Sequence, residues 1–202
     1  MRTCPISGPV TAIGNFLVVA GTLYELTPTR PIWVDETYAA LLSAVPDLCC
    51  APPVVTATRA YGAGGIWVAG GGPIILGMED LATLTRAYQH RWGAARSALR
   101  RRAEFATIFR RVVTCVLAHE LGHQLDAQGY AAPYAHPEAA ADYLAGRLEA
   151  ALGIERAFGM RVFSLLGCEG DLCTHPPSAV RARAYVHGHV EQVVSMIQIQ
   201  IR

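Results

Sequence analysis

The spacing of apolar residues changes once along the chain. Up to about residue 77, short apolar runs broken by glycine and proline dominate, whereas from Met78 onward apolar residues recur three and four apart. The first regime predicts strands and turns. Residues 12–23 (AIGNFLVVAGTL) are expected as a buried strand, and residues 61–77 (YGAGGIWVAGGGPIILG) as two short strands around a glycine turn. One short helix interrupts them at residues 33–45 (WVDETYAALLSAV). The second regime predicts helices, the first over EDLATLTRAYQHRW and a longer one from about Glu104 to Gln128, which Gly129 terminates. A further helix starts near Pro137, with proline in its first turn and Glu138 near its positive end, and runs to about Leu152. Another spans residues 154–166, and the last follows Pro176-Pro177 and carries Arg181 and Arg183. Strands early and helices later predict one α+β domain over residues 1–202, strand-rich over 1–77 and helical over 78–202.

Composition narrows the class. A chain of 202 residues with 52% hydrophobic and 16% charged residues is long and apolar enough to bury a core, which excludes disorder. A net charge of +1 gives no global basic field for nucleic acid or an anionic membrane. The local exception is Arg96, Arg100, Arg101, Arg102, Arg110 and Arg111, at near-helical spacing: a solvated face, or a docking patch for an acidic partner. No apolar run reaches the roughly 18 residues that a membrane span needs. Residues 12–23 lack a convincing signal-peptide cleavage site, so a cytoplasmic location is expected. Cys49 and Cys50 are adjacent and Cys115 lies among apolar helix positions. Cys168 and Cys173 (CEGDLC) close a loop as a disulfide or stay as two thiols; their spacing makes a poor zinc pair.

The chemistry concentrates in VLAHELGHQLDAQG, residues 116–129. On a helix, residues four apart share a face, so His119 and His123 can aim their imidazoles at one metal ion. Glu120 stands about 100° round from His119, where a general base for a metal-activated water belongs. Gly122 keeps the helix slim and Leu121 points to the core. A catalytic zinc usually takes a third protein ligand. The third histidine of the metzincin pattern is absent, since position 126 is Asp126 and position 129 is Gly129. Glu138 and Asp142, separated by Ala139, Ala140 and Ala141, supply a better candidate: Glu138 as ligand, Asp142 orienting a ligand histidine through its other N–H. His136 is the rival third ligand.

HELGH followed by Glu-x-x-x-Asp resembles the gluzincin branch of the zincin metallopeptidases. EAAADYLAG is similar to the Glu-x-x-Ala-Asp helix of the bacterial neutral zinc metallopeptidases and the CAAX-prenyl-protease-like families. THPPSAVRAR, residues 174–183, resembles the His-Pro segment that follows the third ligand there, which puts Arg181 on the matching arginine. The resemblance covers about residues 66–183; the stretch between His123 and Glu138 is short for these families, and the transmembrane helices of the prenyl-protease type are missing. It implies a zincin-like fold, with a small early β-sheet whose edge strand lies above a helix-dominated core carrying the metal helix. It also implies one zinc ion and cleavage of a peptide or protein substrate, by an endopeptidase rather than an exopeptidase. GIWVAGGGPIILG would supply the edge strand, or only a hairpin closing the sheet. His175 is the candidate oxyanion donor, with Arg181 holding it or the substrate, while His90, His187 and His189 are expected on the surface. Two other classes remain: a non-catalytic binding protein with a structural zinc, and a metal-free interaction domain using the arginine cluster.

Overall fold

The computed structural model of the chain describes residues 10–19, 21–60, 65–68, 72–93, 97–167 and 175–200. Among them are six helices and two three-stranded sheets, an α+β arrangement dominated by helices.

The stretch expected as one buried strand folds instead as an antiparallel meander of β1 (Val10–Ile13), β2 (Phe16–Val19) and β3 (Thr22–Glu25). Gly14 and Gly21 take positive φ, 58° and 82°, at its two reversals, a conformation glycine adopts without strain. Alternation then sorts the side chains. Leu17, Val19 and Tyr24 are buried, whereas Ile13, Phe16 and Leu23 are exposed. The second sheet has the order β4 (Val54–Ala57), β6 (Ile74–Gly77), β5 (Gly65–Trp67). β4 runs parallel to β6, while β5 pairs antiparallel with it and leaves its other side as the sheet's edge. Central β6 is wholly buried, as its unbroken apolar run requires. Leu17, Val19 and Tyr24 of the meander pack on Ala57 and Ile75 of this sheet.

The helices are α1 (Ile32–Ser43), α2 (Met78–Trp92), α3 (Ala98–Ala127), α4 (Pro137–Ala151), α5 (Arg156–Leu166) and α6 (Ser178–Gln200). α3 begins six residues before the expected Glu104 because the Ser97 hydroxyl accepts from the Arg100 N–H and caps it. The triple arginine is therefore helical. The helix ends at Gly129, whose N–H bonds the Asp126 carbonyl. α4 lies between α3 and α6, with backbones in close approach. A Cβ on Gly122 would stand 2.5 Å from the Ala141 carbonyl oxygen of α4. Gly146 of α4 faces the Tyr185 carbonyl of α6, and Gly188 of α6 faces the Tyr143 carbonyl of α4. The main core joins α1 to α6 and β6 around Leu117, Leu121, Phe163 and Tyr185.

Cys50 is disulfide-bonded, while Cys49 and Cys115 are free; the Cys168–Cys173 loop lies outside the described residues, as does Arg96. Among the described residues no helix is long and apolar enough to cross a membrane.

Candidate metal centre

Two helices deliver the candidate ligands. α3 presents His119 and His123 one turn apart, and Leu121 between them points into the core with no exposed surface. α4 starts at His136, whose Nδ1 accepts from the Glu138 N–H and caps the helix; the rival third ligand thus serves the helix end. Pro137 opens the first turn, and Glu138 follows at the positive end of the helix. Because Gly122 admits the α4 backbone, the first turn of α4 comes down on the two histidines.

The resulting distances are specific. His119 Nε2 lies 3.1 Å from His123 Nε2. Glu138 places Oε2 3.2 Å from His119 Nε2 and Oε1 3.4 Å from His123 Nε2. These residues form a group whose ligand atoms lie within 4.8 Å of one another and could hold a metal ion. Ligand bonds of about 2.0–2.1 Å in tetrahedral array set donors about 3.3 Å apart. The two imidazole nitrogens, 3.1 Å apart, match that spacing, and the carboxylate brings a different oxygen to each of them, at 3.2 and 3.4 Å.

Behind His119 stands a buried clasp. Asp142, with no exposed surface, places Oδ1 2.9 Å from His119 Nδ1. A proton on Nδ1 donated to that oxygen leaves the Nε2 lone pair facing Glu138 and His123. Arg181 from α6 donates from Nε and Nη2 to the two Asp142 oxygens, both at 2.8 Å, and from Nη1 to the Leu166 carbonyl. Its guanidinium is 1% exposed and lies 3.4 Å from Glu138 Oε2. Arg181 is thus committed to protein acceptors. Burial and the Arg181 charge act to lower the His119 pKa, but Asp142 and Glu138 outweigh them and raise it to about 9. Burial alone would raise the Glu138 carboxyl, yet hydrogen bonds and charge from both histidines hold it well below the usual carboxylate range.

Glu120 is 5% exposed and stands beside the group, outside it. Burial raises its pKa, the neighbouring histidines and the Trp67 backbone amide pull it down, and the Glu138 charge adds to the rise. β5 presses close here: a Cβ on Gly65 would meet Val116 Cγ1 at 2.7 Å and Glu120 Oε1 at 3.0 Å. Between β5, α3 and the start of α6 lies a cleft of about 350 Å³, lined by Ile66, Trp67, Leu166 and His175 together with the ligand group. His175 is 40% exposed at its side chain, with Nε2 3.8 Å from Glu138 Oε2.

Two neighbours carry no sequence signal of their role. The Trp67 ring stacks on His123, with centroids 6.1 Å apart and planes 10° from parallel. Phe163 sits against the other side of the pair, 6.0 Å from His119. An isolated aromatic residue in a strand or a core helix does not announce which side chain it will support. His90 and His187 are exposed as expected, but His189 is 8% exposed, because its Nε2 turns inward to the Ile154 carbonyl at 2.9 Å. No protein-family model, curated protein or solved structure matches the chain, so its function has to be argued from the geometry of this site.

Proposed function

We propose that the protein is a zinc-dependent hydrolase that cleaves peptide bonds. The carrying observation is the set of donor separations, 3.1–3.4 Å among His119, His123 and Glu138, with a carboxylate left over in the same cleft. His119, His123 and Glu138 would hold the ion. Zinc there supplies Lewis acidity, to a water and to a substrate carbonyl. Glu120 accepts a proton from the attacking water at its carboxylate and passes it to the leaving amine. Its burial and raised pKa suit a group that must both take and give a proton. The unpaired side of β5 offers main-chain groups to an extended peptide, and the apolar wall of Ile66, Trp67 and Leu166 receives a side chain. His175, at the mouth, donates from its imidazole to the developing oxyanion.

The test combines metal content with hydrolysis. Protein purified without added metal is expected to contain near one zinc per chain by elemental mass spectrometry, and Glu138→Ala to lose it. Glu120→Gln is expected to keep the zinc and lose hydrolysis of a peptide library by at least about 10²–10⁴-fold. Zinc retained with Glu120→Gln silent would make the ion a structural staple. A chain that takes up no zinc after reconstitution would end the reading.

A further inference from the structure

The charges of this chain are segregated. Between Asp80 and Glu120 the sequence has eight arginines and a single acidic residue, Glu104; the rest of the chain has nine arginines and fifteen acidic residues. That positive stretch folds as α2 and the first half of α3. The two helices enclose a groove of about 570 Å³, lined by Arg86, Gln89 and His90 from one and Arg101, Arg102 and Phe105 from the other. Gln89 Nε2 donates to the Arg101 carbonyl at 2.9 Å, which fixes the last turn of α2 against the first turns of α3 and holds the groove open. Phe105, stacked on Phe109 at 5.7 Å, gives it an apolar patch.

The arginines lining the groove lack what Arg30, Arg59, Arg111 and Arg181 have, an ion pair. Among the described residues Arg86, Arg101 and Arg102 have no carboxylate partner. Arg100 and Arg101 stand in the first turn of a 30-residue helix, which has no acidic residue there, and Arg102 follows directly. That is the positive end of the helix dipole, where cations are disfavoured. Cations there cost the folded chain stability, and among the described residues no carboxylate pairs with these three to recover it.

We infer that the α2–α3 groove is a docking site for an acidic segment of a protein partner. Guanidinium forks pair with carboxylates in plane, and Arg86, Arg101 and Arg102 flank the groove from both helices, so successive carboxylates of an extended segment find a partner on either wall. Phe105 takes an apolar side chain set between them. A long nucleic acid fits less well, because beyond the arginine stretch it would run onto a surface in which acidic residues outnumber arginines. The site is separate from the metal centre and does not depend on hydrolysis.

The full-length chain is titrated against a fluorescein-labelled peptide of six glutamates interrupted by two leucines, followed by fluorescence anisotropy at 50 and 300 mM NaCl. Saturable binding is expected at low salt, weakening about tenfold or more at high salt. Arg101→Glu with Arg102→Glu is expected to abolish it, while Arg156→Glu with Arg183→Glu, an equal change of charge elsewhere, keeps it. The groove variant should melt at or above the wild-type temperature, since it relieves repulsion at the helix end. Absence of binding in the wild type, equal loss in both variants, or a lowered melting temperature in the groove variant alone would overturn the assignment. So would tighter binding of a twelve-nucleotide oligothymidine than of the peptide.

Discussion

Glu149 has no exposed surface, and its donor is uncharged: the Tyr185 hydroxyl, 2.8 Å from Oε2. Burial raises its carboxyl to about 7, even though the Tyr185 and Cys115 side chains and the Arg111 charge pull the other way. Its second oxygen has no partner among the described residues. With the folded pKa above an unfolded value near 4.5, the fold prefers the neutral acid. That stabilisation is complete below about pH 4.5 and is lost as pH rises through 7, a total of about 3 kcal/mol. Unfolding midpoints measured from pH 5 to pH 8 should therefore fall in the wild type relative to Glu149→Gln, which has no charge to lose. A second test at this scale concerns the clasp. Asp142→Asn is expected to weaken zinc affinity about 10–100-fold in a chelator competition. Arg181→Met takes two donors from the buried Asp142 carboxylate and leaves it with His119, and should cost about 3–5 kcal/mol in denaturant unfolding. His119, Glu120 and His123 were legible because helical spacing alone puts them together. Glu149 and His189 were not, since their burial is decided by partners far away in sequence, Tyr185 for the one and Ile154 for the other.

At the scale of elements, the approach of α3 to α4 decides whether a ligand set exists. Gly122→Ala would bring a methyl group to 2.5 Å from the Ala141 carbonyl, so the helices must separate. An overpacking cost of about 1–3 kcal/mol is expected, with zinc content falling because Glu138 moves with α4. Retention of full zinc by a stably folded variant would show that the close approach is dispensable. The helices after Met78 were legible within a few residues, as their 3.6-residue period is long and their punctuation strong. The start of α3 was not: the three arginines read as a solvated face at near-helical spacing, with the long helix expected only from Glu104, until Ser97 is recognised as a cap. The meander was missed for the opposite reason: four-residue strands separated by single glycine turns give a continuous apolar run. β4 pairs with β6 rather than with its sequence neighbour, and no local pattern specifies a parallel partner.

For the whole molecule, the proposed ion joins residues of α3 and α4, and the clasp adds α6. Zinc binding should therefore appear as global stability. At a hundredfold excess over its dissociation constant an ion adds about 2.7 kcal/mol, worth about 2–4 °C per kcal/mol for a chain of this size. Chelation should lower the melting temperature of the wild type and of Glu120→Gln alike, and leave Glu138→Ala unchanged. The broad division into early strands and later helices was legible, and the segregation of charge could be counted in the sequence. The convergence of cleft, clasp and strand edge was not, because it depends on how the helices stack. That stacking has a dynamic consequence. Where Gly122, Gly146 and Gly188 stand, backbone meets backbone with no layer of side chains to slip or repack. α3, α4 and α6 then move as one body, and breathing of the cleft is left to its strand wall. Amide exchange should accordingly be slow through the middle of α4 and faster by orders of magnitude at Ile66 and Trp67, the wall proposed to receive a peptide.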